Sequence, residues 1–154
     1  MLARVSGVRF MGKRPKVKKP KPVALAVQPV GGTWHFVVLG NPRTKKTSQR
    51  IARRGDGTPF IMSAAFTKDW ADSAIAQLRS HWHRCGALNQ PVAVRALIYR
   101  DRNVGDATGF YQAIGDALQS AEVITNDSLI EHWDGSRRLK DAANPRVEIW
   151  LSVV

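Results

Sequence analysis

Three aspartates lie in one stretch of the chain whose pattern predicts a helix. Asp106 comes directly before the helical pattern, Asp116 lies inside it, and Asp127 lies in the turn after it. Carboxylate oxygens are the ligands that hard cations such as Mg2+ prefer, and these ions activate water and stabilise charge on phosphate. Two or three converging carboxylates in a basic protein therefore suggest a divalent-metal site that acts on phosphate. The alternative is that Asp106 only caps a helix and Asp127 only forms a turn.

The helix between these acids is predicted by the spacing of its apolar residues. They recur on one face at the 3.6-residue period, at Ala107, Phe110, Ile114, Ala117, Leu118 and Ala121. Asp106 stands where its carboxylate can accept a backbone N–H of the first turn. Asp127 precedes a predicted strand that begins at Leu129. A chain that leaves Asp106, runs along a helix and returns can bring Asp106 and Asp127 close together.

Positive charge is concentrated at the start of the chain. The 154 residues carry a net charge of +12, and eight of the 24 Lys and Arg fall in residues 1–30, which contain no acid. This segment therefore contributes +8 and the remainder +4. Its prolines and like charges resist packing, so we expect a disordered basic arm at 1–30 and a single folded domain at 31–154. Such a charge distribution favours a polyanion as partner, with nucleic acid as the first candidate.

Several protein classes are disfavoured by the composition. The single cysteine, Cys85, rules out a disulfide within the chain and a zinc site built from several cysteines. No apolar run approaches the roughly 18–20 residues that a membrane-spanning helix needs. Basic residues interrupt the start of the chain, so it lacks the apolar core of a signal peptide. We expect a cytoplasmic protein that does not enter a membrane.

A second basic segment spans residues 43–54 and contains no acid. The candidate DNA-binding residues in it are Lys45, Lys46, Arg50, Arg53 and Arg54. Together with the hydroxyl groups between them, these side chains suit contacts with phosphate oxygens, which position a protein on DNA without reading its sequence. The alternative is a solvated basic loop.

The remaining pattern predicts an α+β fold. Strands are predicted at residues 33–39, 59–62, 91–99, 129–133 and 146–153, and helices at 66–82 and from 107 onward. This order predicts a small mixed β-sheet with two main helices packed on one face. Glu148 interrupts the apolar pattern of the last strand, which predicts that this strand lies at an exposed edge.

The whole pattern resembles the RusA family of Holliday junction resolvases over roughly residues 34–152. The family's opening strand and Gly-x-Pro-x-x-Lys turn match Gly40 to Lys45. Its basic loop and its helix with a tryptophan match residues 46–54 and Trp70. Its Asp-Ala-Leu and Asp-Asp-x-x-Ile motifs match Asp116 to Leu118 and Asn126 to Ile130.

The family's core motif, Asp-x-Asp-Asn-x-x-Lys, is only partly present. Its first Asp falls on Asp106, whereas Thr108, Gly109 and Gln112 replace the second Asp, the Asn and the Lys. The resemblance implies a homodimer that uses Mg2+ or Mn2+ and cleaves four-way junctions or other branched DNA. It implies Asp106 and Asp127 as metal ligands and catalytic residues. Asp116 lies on the same helix face one turn beyond Gln112, which makes it a further candidate catalytic residue; the alternative is that Asp116 has a structural role.

Three functional hypotheses follow. The first is a metal-dependent, structure-selective endonuclease that resolves branched DNA in recombination or repair. The second is a catalytically inactive protein of the same fold that binds DNA junctions. The third, suggested by the basic arm, is an RNA-binding protein. Metal-dependent cleavage separates the first two, and preference for a four-way junction over RNA separates the third.

Overall fold

The computed structural model describes residues 31–44, 49–63, 65–83 and 85–154, with the backbone alone at 49, 50, 62, 63 and 65–67. The basic arm at residues 1–30 lies outside the described residues, so its predicted disorder stays a prediction. The strands are β1 Thr33–Leu39, β2 Gln49–Arg53, β3 Pro59–Ser63, β4 Val92–Arg100, β5 Ile130–His132, β6 Arg137–Lys140 and β7 Arg146–Val153. The helices are α1 Ala65–Trp82 and α2 Ala107–Ser120, with a 3-10 turn at Asp127–Leu129.

The main sheet is mixed, as predicted. Its order is β1-β7-β4-β5, and β6 pairs with β4 beyond the end of β5. The pairings β1–β7 and β7–β4 are antiparallel, whereas β4–β5 and β4–β6 are parallel. Strands β2 and β3 form a separate antiparallel hairpin. The α+β prediction is therefore confirmed.

Both helices cover the same face of the sheet. Alternate residues of the three long strands are buried against them, because successive side chains in a strand point to opposite faces. The shared core contains Phe36, Val38, Val94, Ile98, Val147, Ile149 and Leu151 from the sheet, Trp70, Leu78 and Trp82 from α1, and Phe110, Ile114 and Leu118 from α2. No helix in the described part of the chain is long and apolar enough to cross a membrane.

Two strands were not predicted from the sequence. Strand β2 lies inside the basic segment and pairs with β3, with Ile51 opposite Ile61. Strand β6 lies in a charged segment and pairs with β4, with Arg138 opposite Ile98. Neither strand has a long alternating apolar pattern, so each depends on pairing with a strand elsewhere in the sequence.

The prediction that the last strand lies at an edge is wrong, because β7 lies between β1 and β4. Glu148 is accommodated there by an ion pair. The Nε of Arg146 donates to its carboxylate at 2.8 Å, and Nη1 of the same arginine donates to Asp141 at 2.8 Å. A paired carboxylate on the face away from the helices is compatible with an interior strand.

Candidate metal and nucleic-acid site

The loop between β4 and α2 is held by two arginines. Arg100 ends β4, is 8% exposed, and donates to the carbonyl of Val104. Arg138, on β6, donates to the carbonyl of Gly105. Gly105 has φ +113, and a Cβ there would lie 2.9 Å from Cε2 of Phe110. The close packing on Gly105 and the two arginines together fix the point at which α2 begins.

Asp106 caps α2, as predicted. Its backbone is extended (φ −83, ψ 134), and its Oδ1 accepts a hydrogen bond from the N–H of Thr108 at 3.3 Å. The side chain is exposed to solvent. A carboxylate has more acceptor capacity than one capping bond uses, so Asp106 can also bind a cation. The positive end of the helix dipole stabilises its negative charge.

Positive charge surrounds the start of α2. Burial lowers the pKa of Arg100, Asp101 opposes this shift, and the nearby Arg43, Arg138 and Arg102 lower the pKa further. Arg100 therefore lies within electrostatic reach of three other arginines and of one carboxylate, that of Asp101. This concentration of positive charge suits the binding of a phosphate group beside the loop.

The turn after β1 packs against the same place. Thr44 is 2% exposed, and its Cγ2 would lie 3.3 Å from a Cβ at Gly109 in the first part of α2. A hydrogen bond from the Asn41 side chain lowers the pKa of Asp101. The turn that resembles the family's Gly-x-Pro turn therefore contacts the loop that ends at Asp106, although the two are distant in sequence.

Asp127 also lies against α2, but beside its middle turns. Its Cβ would be 3.5 Å from a Cβ at Gly115, and its backbone N–H donates to Oε1 of Gln119 at 2.9 Å. Nine residues separate Asp106 from Gly115 along the helix, which corresponds to about 13 Å of axial rise. The side chain of Asp127 is exposed. The structure therefore places both acids along α2 but at different levels.

Asp116 has a different environment. It is half-buried and lines an open cleft of about 210 Å³ between α1 and α2. The lining residues are Arg43, Trp70, Ala71, Ile75, Ala113, Asp116, Ala117 and Ser120. Consecutive residues on a helix project about 100° apart, so Asp116 projects away from the Gly115 side that contacts Asp127. The structure does not group Asp116 with Asp127.

The arrangement of the described residues suits a metal ion that is held mainly by the phosphate oxygens of a bound substrate and only partly by the protein. Among them, no group of three or more His, Cys, Asp or Glu side chains is arranged to hold a metal ion. The positions that carry Asp and Lys in the resembled family are occupied by the exposed, uncharged Thr108 and Gln112. Mg2+ commonly binds through one or two carboxylates, with phosphate oxygens and water completing its octahedron. Asp106 beside the loop that Arg100 and Arg138 hold suits that mode, whereas an ion held by protein ligands alone does not fit.

The predicted DNA-binding residues are only partly described. Lys45 and Lys46 lie outside the described residues, as does the side chain of Arg50. Arg53 and Arg54 are exposed where β2 ends in the turn to β3, and the Arg54 guanidinium lies 5.7 Å from the centre of the Phe60 ring. The basic residues of this part of the loop thus project from a hairpin.

Sequence reasoning missed the role of Arg100 and the position of Arg43. The sequence indicates only that Arg100 begins a loop, because its burial against Phe110 depends on the packing of α2 on the sheet. For Arg43, the sequence indicates only that it is one of several basic residues in the segment 43–54. A charged residue at the end of an apolar strand, just before an acid-bearing loop, is the signal that was available for Arg100.

No model of a known protein family matches this chain, and no curated protein is significantly similar to it. The resemblance to the RusA family therefore rests on the motifs in the sequence. It remains a prediction, as do the activity and partners that it implies.

Proposed function

We propose that this protein is a RusA-like endonuclease that uses Mg2+ or Mn2+ to cleave four-way junctions or other branched DNA. The observation that carries the proposal is the exposed carboxylate of Asp106, which caps α2 directly after a loop held by Arg100 and Arg138. A phosphodiester needs positive charge to bind it, and a metal-assisted reaction needs a carboxylate at the same place. In this proposal the protein acts as a homodimer in the cytoplasm of a bacterial or phage-infected cell. Two sites related by a two-fold axis then nick two strands of one junction.

The residues of the chain have separate roles in this proposal. The arginines around the Asp106 loop bind and orient the scissile phosphate. Asp106 holds the metal ion, whose other ligands are phosphate oxygens and water. When bound, the ion supplies an activated water and stabilises negative charge on the phosphate. Asp127 lies about 13 Å further along α2 by axial rise, so it does not share this ion with Asp106, and its predicted role as a metal ligand is not part of this mechanism.

Arg138 offers a replacement for the missing lysine of the family motif. Gln112 occupies that lysine's position and has no charge to stabilise a developing negative charge. Arg138 donates to the carbonyl of Gly105, directly before Asp106. Its guanidinium has five N–H donors, so further donors remain for a phosphate oxygen. In the proposed mechanism Arg138 stabilises the charge that the lysine stabilises in the family.

The test is the cleavage of an end-labelled four-way junction in Mg2+, Mn2+ or EDTA, beside linear duplex DNA and a structured RNA. We expect paired nicks near the branch point that require a metal and are absent from the linear duplex. Asp106→Asn is compared with Asp116→Asn, because Asp116 lies in the cleft between α1 and α2. The proposal predicts a larger loss of cleavage for Asp106→Asn. Cleavage that EDTA leaves unchanged would contradict the proposal, and a preference for RNA would favour the RNA-binding alternative.

A second candidate function is a DNA-junction binding protein without catalytic activity. It is favoured by the uncharged Thr108 and Gln112 and by the lack, among described residues, of three grouped metal-binding side chains. Tight, junction-specific binding with no cleavage in either metal would support this function and overturn the endonuclease proposal. The positive cluster around Asp106 serves phosphate binding in both cases.

A further inference from the structure

The hairpin of β2 and β3 exposes a pair of isoleucines. Among the described strands, β2 and β3 pair only with each other. Ile51 and Ile61 are directly opposite in register, and their exposed fractions are 79% and 68%. They are the two most exposed of the large apolar side chains in the described residues. A two-stranded hairpin is only marginally stable alone, and two side chains that stay exposed add little stability through burial. The pair is therefore better explained as a contact surface for a partner.

The surroundings of the pair indicate the chemistry of its partner. Arg53 follows Ile51 on the same face, opposite Pro59, since side chains alternate along a strand. Arg54 follows at the start of the turn, but its guanidinium lies 5.7 Å from the centre of the Phe60 ring, on the face opposite to Ile61. Neither strand of the hairpin contains an acidic residue, so a second copy docking hairpin to hairpin through this face would bury Arg53 of each copy without a carboxylate to pair with it. A polyanion with apolar surface, such as the stacked bases of DNA, satisfies both Arg53 and the isoleucines.

We propose that Ile51 and Ile61 insert between bases at the branch point of DNA while Arg53 binds a flanking phosphate. Apolar side chains, including isoleucine, are used by other proteins to unstack a base step and hold DNA in a bent form. A two-stranded β-ribbon also fits a DNA groove. At a branch point some stacking is already interrupted, so insertion costs less there than in continuous duplex. This inference rests on the proposed function in taking branched DNA as the partner.

The test measures binding in EDTA, so that cleavage does not contribute. The junction carries 2-aminopurine beside the branch point, because its fluorescence rises when the base is unstacked. The main variant is Ile51→Thr with Ile61→Thr, since threonine keeps the branched Cβ that strands favour. The matched control is Leu39→Thr with Val154→Thr, which changes two exposed apolar side chains outside the hairpin. Circular dichroism checks that each variant is folded.

We expect the isoleucine variant to bind the junction roughly tenfold more weakly, because apolar contact with the bases is lost. The rise in 2-aminopurine fluorescence at saturation should also fall, whereas the salt dependence of binding should stay unchanged. Arg53→Ala should behave differently, lowering the slope of log K against log salt by about 0.9. The control variant should bind like the wild type.

Three results would overturn the inference. The first is wild-type affinity and fluorescence change in the isoleucine variant. The second is loss of a dimer by this variant in sedimentation, which would show that a second copy covers the pair. Either result leaves the endonuclease proposal to its own cleavage assay in Mg2+. The third is a wild-type protein that binds no branched DNA, which would overturn both proposals.

Discussion

Gly105 directly precedes Asp106 and has no room for a side chain. An alanine there would adopt φ +113, and its Cβ would lie 2.9 Å and 3.1 Å from two ring atoms of Phe110 and 3.4 Å from Nη1 of Arg100. The ring is 2% exposed and cannot move away without disturbing the core. A strained backbone conformation costs about 1–3 kcal/mol, and forcing extra volume into a packed core costs about 1–3 kcal/mol more. We therefore expect Gly105→Ala to lower the free energy of unfolding by about 4 kcal/mol, a large part of the roughly 5–15 kcal/mol of a small domain.

Gly40→Ala is the matched control for this prediction. Gly40 has nearly the same φ, +111, but the nearest atom to a Cβ there is Cδ1 of Trp70 at 3.5 Å, an ordinary contact. It should therefore cost only the backbone strain, about 2 kcal/mol. The measurement is urea unfolding followed by tryptophan fluorescence, with both variants beside the wild type. Equal destabilisation by the two variants would refute the argument that Gly105 is required by its packing against Phe110.

Two further predictions concern the charged residues. Hydrogen bonds from the backbone N–H of Asn144 and, next in size, from the Arg146 side chain lower the pKa of Asp141 in the folded state. The stability that the ionised Asp141 gives the fold is therefore fully present above its ordinary pKa of 3.8 and is lost as the pH falls through the lowered pKa. The urea midpoint of the wild type should therefore fall as the pH drops below 3.8, and Asp141→Asn should make this fall less steep. The same pH profile in both proteins would show that Asp141 does not contribute in this way. Arg138→Ala should lower the salt slope of junction binding by about 0.9, the value for one phosphate contact. Arg137→Ala, one residue earlier on β6 and exposed, is its control, and an equal effect of both would show that Arg138 has no special contact.

The parts of the site that depend on local sequence were predictable. The apolar spacing of α2 and the capping position of Asp106 are set by residues within a few turns of each other, and both predictions are confirmed. The level of Asp127 along the helix was not predictable. It depends on how the chain returns after α2, where the N–H of Asp127 donates to Oε1 of Gln119.

The positive cluster depends on pairings between distant segments. Arg138 reaches Gly105 because β6 pairs in parallel with β4, and Arg43 approaches because Thr44 packs on α2. The charged sequence of β6 gave no sign of a strand, so the proximity of Arg138 to Asp106 could not be read from it. The acids of the site were therefore visible in the sequence, whereas most of the basic residues around them were not.

The most direct test of the proposed function is the single-turnover rate of junction cleavage in Mg2+ by the wild type and by Asp106→Asn. Asparagine caps a helix as well as aspartate does, so this variant keeps the cap and removes the negative charge. Protein is used at saturating concentration, so that a change in affinity does not alter the rate. We expect metal-dependent cleavage by the wild type and a fall in rate of at least about a hundredfold in the variant. Equal cleavage by both proteins, or none by the wild type, would contradict the proposed function.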